Sequence, residues 1–343
     1  MLEERSSLDE AGLRPFQVDL RGVVDLLSRH IYSGPRVYLR ELLQNARDAI
    51  AARAELDGTG AGAGDPVRGV RIEPLGTGAE PGEFVLRDDG IGLTADEVAD
   101  LLSTVGRSSK RDILDLPRSD YLGQFGIGLL SCFMVADRIV IRSRSARGGP
   151  PVEWHGNAEG TFAVRTLDGA EGIPVGTSVH LAPRPDQAEL LLPDAVLALA
   201  TGYGEFLPVP IDVELADGRG RERITREPVF ARAARAAADT DADAELLAYG
   251  AALLGAPPLD AIPLEVAATG TRGVAFVLPR SPSPGARQAT RVYLGRMLVG
   301  ERIDDVLPDW AFFVRAVVDS TGLHPTASRE DLVRISESGS EKS

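Results

Sequence analysis

The chain has 343 residues, 43% of them hydrophobic, and 51 Asp and Glu against 37 Lys and Arg leave a net charge of −14. That size and balance describe a globular chain of about two domains and argue against a broad nucleic-acid surface. A lone cysteine, Cys132, excludes a disulfide framework, and no stretch approaches the roughly 18 apolar residues of a membrane span.

Residues 1–15 are polar and lack the apolar core of a signal peptide, so a cytoplasmic location is expected. Phe16 to Leu20 reads as a strand and Gly22 to Arg29 as a helix, broken by Ser33-Gly34-Pro35. Tyr38 to Ile50, YLRELLQNARDAI, has no Gly or Pro and is rich in helix formers, which predicts a helix. At about 100° per residue, Glu41, Asn45 and Asp48 share one face, and Leu39, Leu42, Leu43, Ala46, Ala49 and Ile50 share the other. An ordinary amphipathic helix explains this pattern. The alternative is a catalytic face. The Asn45 amide oxygen suits Mg²⁺, which takes most of its other oxygens from water and phosphates. Glu41, one turn earlier, is placed to orient or deprotonate an attacking water.

Asp57 to Asp65 is a glycine-rich loop, followed by a strand at Val67 to Ile72 and glycine punctuation at Gly76 to Gly82. Phe84-Val85-Leu86 reads as a buried strand running into Asp88-Asp89-Gly90-Ile91-Gly92. This places a carboxylate at a strand end beside bare backbone that a ligand can approach, or else forms a simple Asp-Gly turn. Thr94 and Glu97 form a capping box for a helix to about Val105. Gly106 to Asp120 is a polar loop, basic in its first part. Gly123-Gln124-Phe125-Gly126-Ile127-Gly128 then leads into a helix-like apolar run, LLSCFMVA. Backbone N–H groups at such a helix start cradle phosphates. No βαβ unit surrounds these glycines and there is no Walker-type GKS/T, so neither a dinucleotide fingerprint nor a P-loop is present. Cys132, inside the run, reads as a small buried hydrophobe.

Arg138 to Ser143, Glu153 to Asn157, Thr161 to Leu167 and Thr177 to Leu181 alternate as strands of a half-exposed antiparallel sheet. Pro193 to Ala200 is a helix with proline at its first position. Val209 to Glu214 is a strand, and Ala216 to Glu222 a short polar break. Beyond it come a helix at Glu245 to Leu254 and strands at Leu264 to Ala267, Val274 to Leu278 and Val292 to Leu294. A loop, Ser281 to Gly285, precedes the last strand.

The Tyr38, Leu86 and Tyr121 segments, in this order, resemble the N, G1 and G2 boxes of the GHKL ATPase superfamily. Within it, FQVDLRGVVDLLSRHIYSGPRVYLRELLQNARDAI and YLGQFGIGLLSCFMVADRIVI are similar to the Hsp90 (HtpG) chaperone family. RVYLGRMLVGERIDDVLPDWAFFVRAVVDSTGLHPTASREDL resembles the first part of that family's middle domain. The resemblance implies a two-layer α/β sandwich of the Bergerat type, with a mixed, mainly antiparallel sheet, followed by a smaller α/β middle domain. Residues 1–215 would bind ATP, 216–222 would be a short linker, and 223–343 would begin the middle domain.

It also implies a slow ATPase that acts on client proteins, with ATP and Mg²⁺ as ligands. Asp88 would accept a hydrogen bond from the adenine amino group, beside Gly90 and Gly92. Thr177 would help bind the adenine end. Asn45 would hold Mg²⁺, with Asp48 also in the nucleotide set. Backbone from Gly123, Gln124, Phe125, Gly126, Ile127 and Gly128 would hold phosphates, and Glu41 would act on the water. Gly106 to Asp120 would be a lid, with Arg107 facing phosphates. Arg329, in SREDL, would reach the terminal phosphate. On its residues alone it reads first as a helix-start arginine paired with Glu330 or Asp331. Two departures stand out. The lid has Ser108-Ser109-Lys110 where the family has Ser-Gly-Thr, and the resemblance stops before the family's dimerisation domain. A homodimer is therefore possible but not secured, and no nucleic-acid or membrane partner is expected. A binding module with negligible turnover, or another GHKL ATPase, is the alternative.

Overall fold

The computed structural model describes residues 14–15, 22, 32–58, 67–80, 82–98, 127–167, 172–236, 240–280, 282, 290–304, 306–323 and 326. The strand expected at 16–20, the body of the helix at 22–29, the end of the helix begun at Thr94, the lid at 106–120, Gly123 to Gly126, most of the 281–285 loop and Arg329 lie outside them. The chain divides into two units, Met1–Thr225 and Arg226–Ser343.

The first unit is built on a nine-stranded sheet. Its strands are β1 (Arg14–Pro15), β2 (Val70–Glu73), β3 (Phe84–Asp88), β4 (Ala136–Arg144), β5 (Val152–Asn157), β6 (Thr161–Thr166), β7 (Gly176–Pro183), β8 (Ile211–Glu214) and β9 (Arg221–Arg223). Their order is β1-β6-β5-β4-β7-β3-β2-β8-β9, and every neighbouring pair is antiparallel except β2 with β8. The result is a mixed, mainly antiparallel α/β fold, as the sequence suggests. Helices α1 (Val37–Leu56) and α3 (Pro193–Gly204) pack against each other on one face of the sheet. Between them in sequence, α2 (Ile127–Leu130) is a single α-helical turn that tightens into a 3₁₀ turn at Ser131–Met134. Described side chains of the apolar run from Gly128 to Val135 are all buried.

The strand period of two sorts residues between the faces. Phe84, Leu86 and Asp88 face the helices, with the Phe84 ring 5.7 Å edge-on from that of Tyr38 on α1. Cross-strand register then places Ile141 beside Val179, and both Asp88 and Ser143 beside Thr177. The opposite face carries Arg87, Arg142, Ser178 and His180.

Two expectations change. The first turns of α1 are not amphipathic: every residue from Val37 to Leu43 is buried, including Arg40 and Glu41. The helix is enclosed by the sheet and its helical neighbours, so the face that looks polar in sequence is a site wall rather than a solvated surface. Residues 216–222, which read as a break, contain a 3₁₀ turn at Ala216–Gly218 and most of β9. Arg221 and Arg223 on β9 bind Glu214 and Asp212 on β8 at 2.6 and 2.5 Å, which closes the sheet with a charged edge.

The Thr94 capping box forms as the residue types dictate. The Glu97 carboxylate accepts the Thr94 backbone N–H at 2.8 Å, and the Thr94 hydroxyl accepts the Glu97 N–H at 3.3 Å. Thr94→Ala is expected to lower stability by about 1 kcal/mol, read as a lower urea midpoint with an unchanged slope.

The second unit has a five-stranded sheet of β10 (Asp260–Val266), β11 (Thr271–Val277), β12 (Thr290–Leu294), β13 (Met297–Ile303) and β14 (Val314–Ser320), ordered β10-β11-β14-β12-β13. Helices α4 (Val229–Ala236) and α5 (Thr240–Leu254) pack on one face, Phe230 near Tyr293 and Tyr249 near Phe276. Ala275, Val292, Ala316 and Val318 form a core on the other face. Neither α4, β13 nor β14 was expected from the sequence, although Pro228 precedes α4 and Gly295, at a φ of 53°, turns the chain from β12 into β13. Among the described residues, no helix is long and apolar enough to cross a membrane.

Candidate nucleotide site

Asp88 ends β3 at the floor of a cavity of about 170 Å³ under the helical face. Leu42, Asn45, Ala46 and Ala49 of α1 form one wall. Leu86, Ile141 and Val179 of the sheet form the floor, and Ile91, Gly92, Leu93, Gly128, Leu129 and Thr177 complete the rim. The lining is mostly apolar with a few convergent polar groups, the usual make-up of a small-molecule site.

The turn after Asp88 needs its glycines. The Gly90 N–H donates to Asp88 Oδ1 at 2.9 Å. A side chain at Gly90 would put its first carbon 2.6 Å from Ala49 Cβ and from Asp88 Oδ1. Gly92 has a φ of 68°, and a side chain there would run into the Arg144 carbonyl. Both glycines let the turn lie flush on α1 and β4, where Ile91 N–H donates to Ala49 O at 2.9 Å and Ala146 N–H donates to Ile91 O at 2.8 Å.

Burial pushes the Asp88 carboxyl up to about 7, with Asp89 adding to the shift and the Gly90 and Thr177 N–H groups opposing it. A carboxylate that costs this much to ionise in an apolar pocket is suited to a ligand donor. Beside it lies a polar group that the sequence analysis did not single out. Ser143 Oγ donates to the Gly176 carbonyl at 3.0 Å, accepts the Leu93 N–H at 2.8 Å, and lies 2.9 Å from Thr177 Oγ1. Because the serine proton goes to a carbonyl, the Thr177 hydroxyl donates to Ser143 and offers its lone pairs elsewhere. The signal in the sequence was parity: a serine where β4 otherwise turns isoleucines inward.

Glu41 stands at the far end of α1, 5% exposed. Its Oε1 accepts from Arg40 Nη2 at 3.1 Å, and the Arg40 guanidinium stacks over the Tyr32 ring at 5.8 Å. Its Oε2 points at Gly128, where a side chain would begin 2.6 Å away. The carboxylate thus sits at the start of α2, where bare backbone N–H groups would meet phosphate. Gly128→Ala is expected to displace the Glu41 carboxylate and to lower turnover about tenfold or more, with much less effect on nucleotide affinity; phosphate-release rates checked against titrations decide this.

The structure therefore brings together Asn45, Asp88, Gly90, Gly92, Gly128 and Thr177, with Glu41 adjoining at Gly128. Asp48 stands apart: it is paired with Arg47 at 2.6 Å, its side chain is 56% exposed, and it does not line the cavity. Of Ile127 only the backbone is described. Arg107, Gly123, Gln124, Phe125, Gly126 and Arg329 lie outside the described residues. Cys132 is buried among apolar groups and its thiol is pushed far up by desolvation, so it stays unreactive. A larger cleft, about 320 Å³, is lined by Arg71, Arg87, Arg142 and Arg223. Three of these arginines are already paired, with Glu73, Glu153 and Asp212, so the cleft is a weaker candidate than the smaller, drier cavity.

A buried carboxylate under a helix that carries Glu and Asn, beside a glycine turn on a mainly antiparallel sheet, defines a nucleotide-binding fold. Residues 32–154 match the family model of histidine kinase-, DNA gyrase B-, and HSP90-like ATPases. The chain is 30% identical to the chaperone protein HtpG of Mycolicibacterium vanbaalenii and 29% identical to that of Rhodococcus jostii, covering 92% of this chain and 53% of each relative. It is 28% identical to the mitochondrial heat shock protein 75 kDa of Bos taurus, over 92% of this chain and 45% of that protein. Residues 32–154 thus fall among the histidine kinase-, DNA gyrase B-, and HSP90-like ATPases, and the chain as a whole is similar to Hsp90 (HtpG) proteins, spanning about half the length of these relatives.

Proposed function

We propose that the chain binds and slowly hydrolyses ATP as an Hsp90-type chaperone, coupling nucleotide state to a bound client protein. The observation that carries this reading is the buried Asp88 carboxylate in an apolar cavity, with Asn45 and Gly128 on the rim. The adenine ring fits the apolar walls, and its amino group donates to Asp88. The free lone pairs of Thr177 accept a further donor at the same end. Asn45, exposed at the rim, offers an amide oxygen suited to Mg²⁺, which when bound neutralises phosphate charge. The reading assigns phosphate oxygens to backbone from Gly123 to Gly128 and to the Arg107 side chain. Glu41 uses the oxygen that Arg40 does not engage to orient the attacking water. Arg329 supplies positive charge to the terminal phosphate. A homodimer and a cytoplasmic setting without nucleic acid or membrane complete the reading.

Titrating ATP with Mg²⁺ into the parent and Asp88→Asn by calorimetry tests the site. The parent binds one ATP, and Asp88→Asn loses at least about 50-fold in affinity, because an amide NH₂ would face the adenine NH₂. Equal binding by both proteins overturns the placement of adenine. The pairing of Glu41 with Arg40 also supports a second reading, a nucleotide-gated module with negligible turnover. A turnover rate per chain that rises with protein concentration favours the enzyme, acting as a weak dimer. No phosphate release at any concentration favours the module.

A further inference from the structure

We propose that Glu80, Glu83 and His180 form a site for a divalent transition-metal ion, matched best by Zn²⁺, on the sheet face turned away from the nucleotide. Glu80 and Glu83 lie in the connection from β2 to β3, which folds over β7. His180 lies on β7 with its side chain on the opposite face from Val179, and is 1% exposed.

The contacts of His180 favour one tautomer. Its Nε2 lies 3.1 Å from Ser178 Oγ. That hydroxyl donates to the Arg142 carbonyl at 3.4 Å, and a carbonyl has no proton to give back. Ser178 Oγ therefore accepts, Nε2 carries the hydrogen, and Nδ1 presents its lone pair.

Nδ1 makes no hydrogen bond, although it is fully buried. It faces Glu83 Oε2 at 3.4 Å and Glu80 Oε2 at 3.6 Å. A charge-assisted bond from an imidazolium to a carboxylate would be about 2.7–2.9 Å long. Three acceptor atoms thus converge within 4.8 Å of one another. Acceptors so placed repel unless a proton or a metal cation lies between them, and 3.4 and 3.6 Å are long for a proton shared with His180. The spacing fits one: ligands held about 2.1 Å from a tetrahedral ion stand about 3.4 Å apart.

The outer atoms are set as metal supports usually are. Glu80 Oε1 accepts from Arg142 at 3.2 Å and Glu83 Oε1 accepts from Arg138 at 2.8 Å, which fixes both carboxylates and leaves each Oε2 turned inward. The Ser178 contact holds the imidazole in the ligating tautomer. An imidazole with two carboxylates favours a transition ion over Mg²⁺ or Ca²⁺, which prefer oxygen alone. The Glu80 side chain is 26% exposed and gives the ion a way in, with water as the fourth ligand. Such an ion would tie the β2–β3 connection to β7, the strand that carries Thr177 on its other face.

The test uses the whole 343-residue chain, stripped of metal and free of nucleotide. Zn²⁺ is titrated by calorimetry and Co²⁺ by visible absorption. One Zn²⁺ per chain, a tetrahedral Co²⁺ spectrum and a Tm raised by about 5 °C or more at saturation are expected. His180→Asn and Glu80→Gln each weaken Zn²⁺ binding about tenfold or more. Glu80→Gln, at a partly exposed position, keeps the fold and so keeps the test decisive. His155→Asn, at the neighbouring histidine bonded to Glu153 at 2.6 Å, leaves binding unchanged. No saturable Zn²⁺ binding, or parent affinity in Glu80→Gln, overturns the site. So does a ¹⁵N spectrum with both His180 nitrogens protonated in the presence of Zn²⁺.

Discussion

Glu41→Gln lowers ATP hydrolysis about a hundredfold or more and leaves ATP affinity within about threefold of the parent. A positioned base that touches water and not the nucleotide contributes about 10²–10⁴ in rate and little to ground-state binding. Glutamine is the informative replacement because the proposed base also has a structural contact. Its Oε1 accepts a hydrogen bond from the buried Arg40 guanidinium, whose side chain is 2% exposed. An amide oxygen keeps that contact while losing the basic group. Glu41→Ala loses both, so its turnover falls as far while stability drops by roughly 3 kcal/mol, the usual result of stripping one partner from a buried pair. Single-turnover phosphate release and thermal melts on both variants separate the chemical role from the structural one. A Glu41→Gln protein that turns over at the parent rate would remove Glu41 from the mechanism.

Asp88→Asn makes the nucleotide-free protein more stable at pH 8 while it empties the site. Folding raises the Asp88 pKa from an ordinary 3.8 to about 7. The folded state then holds a proton that the unfolded state has lost between those two values. Stability therefore falls as pH rises from about 4 to about 7, and the whole penalty is present above 7. A shift of this size corresponds to as much as about 4 kcal/mol. Asparagine keeps an oxygen to accept the Gly90 N–H and has nothing to ionise. Its Tm should exceed the parent's by roughly 5 °C or more at pH 8, and the gap should close near pH 4. The same protonation sets ligand affinity. At pH 6 only about a tenth of the unliganded protein carries an ionised Asp88, so ATP binding through this group weakens about tenfold from pH 8. A variant no more stable than the parent at pH 8 would show that Asp88 is not strained by its burial. The site would thus trade stability for binding: a carboxylate costly to bury is the group proposed to recognise the ring.

Local order in this protein was legible from residue types. The Thr94–Glu97 box, the helix through Asn45, the proline that opens α3, and the Asp-Gly turn after β3 all rest on hydrogen bonds and steric limits within a few residues. What those elements face was not legible. Helix periodicity put Glu41, Asn45 and Asp48 on one polar face, yet Glu41 is enclosed, Asn45 opens on the cavity and Asp48 binds Arg47 in solvent. The difference lies in what packs against each turn of α1, which is non-local. Ser143 enters the site only because β4 and β3 pair with β7 in a register that lines up Ser143, Thr177 and Asp88. The polar stretch at 216–222 had the composition of a linker, and only the free edge of β8 made part of it a strand. Glu80, Glu83 and His180 belong to separate parts of the chain with no shared motif, and the fold of the β2–β3 connection over β7 is what joins them. Residue chemistry and short-range periodicity thus determined which groups were available here. Register and burial, set by contacts distant in the chain, decided which of them meet.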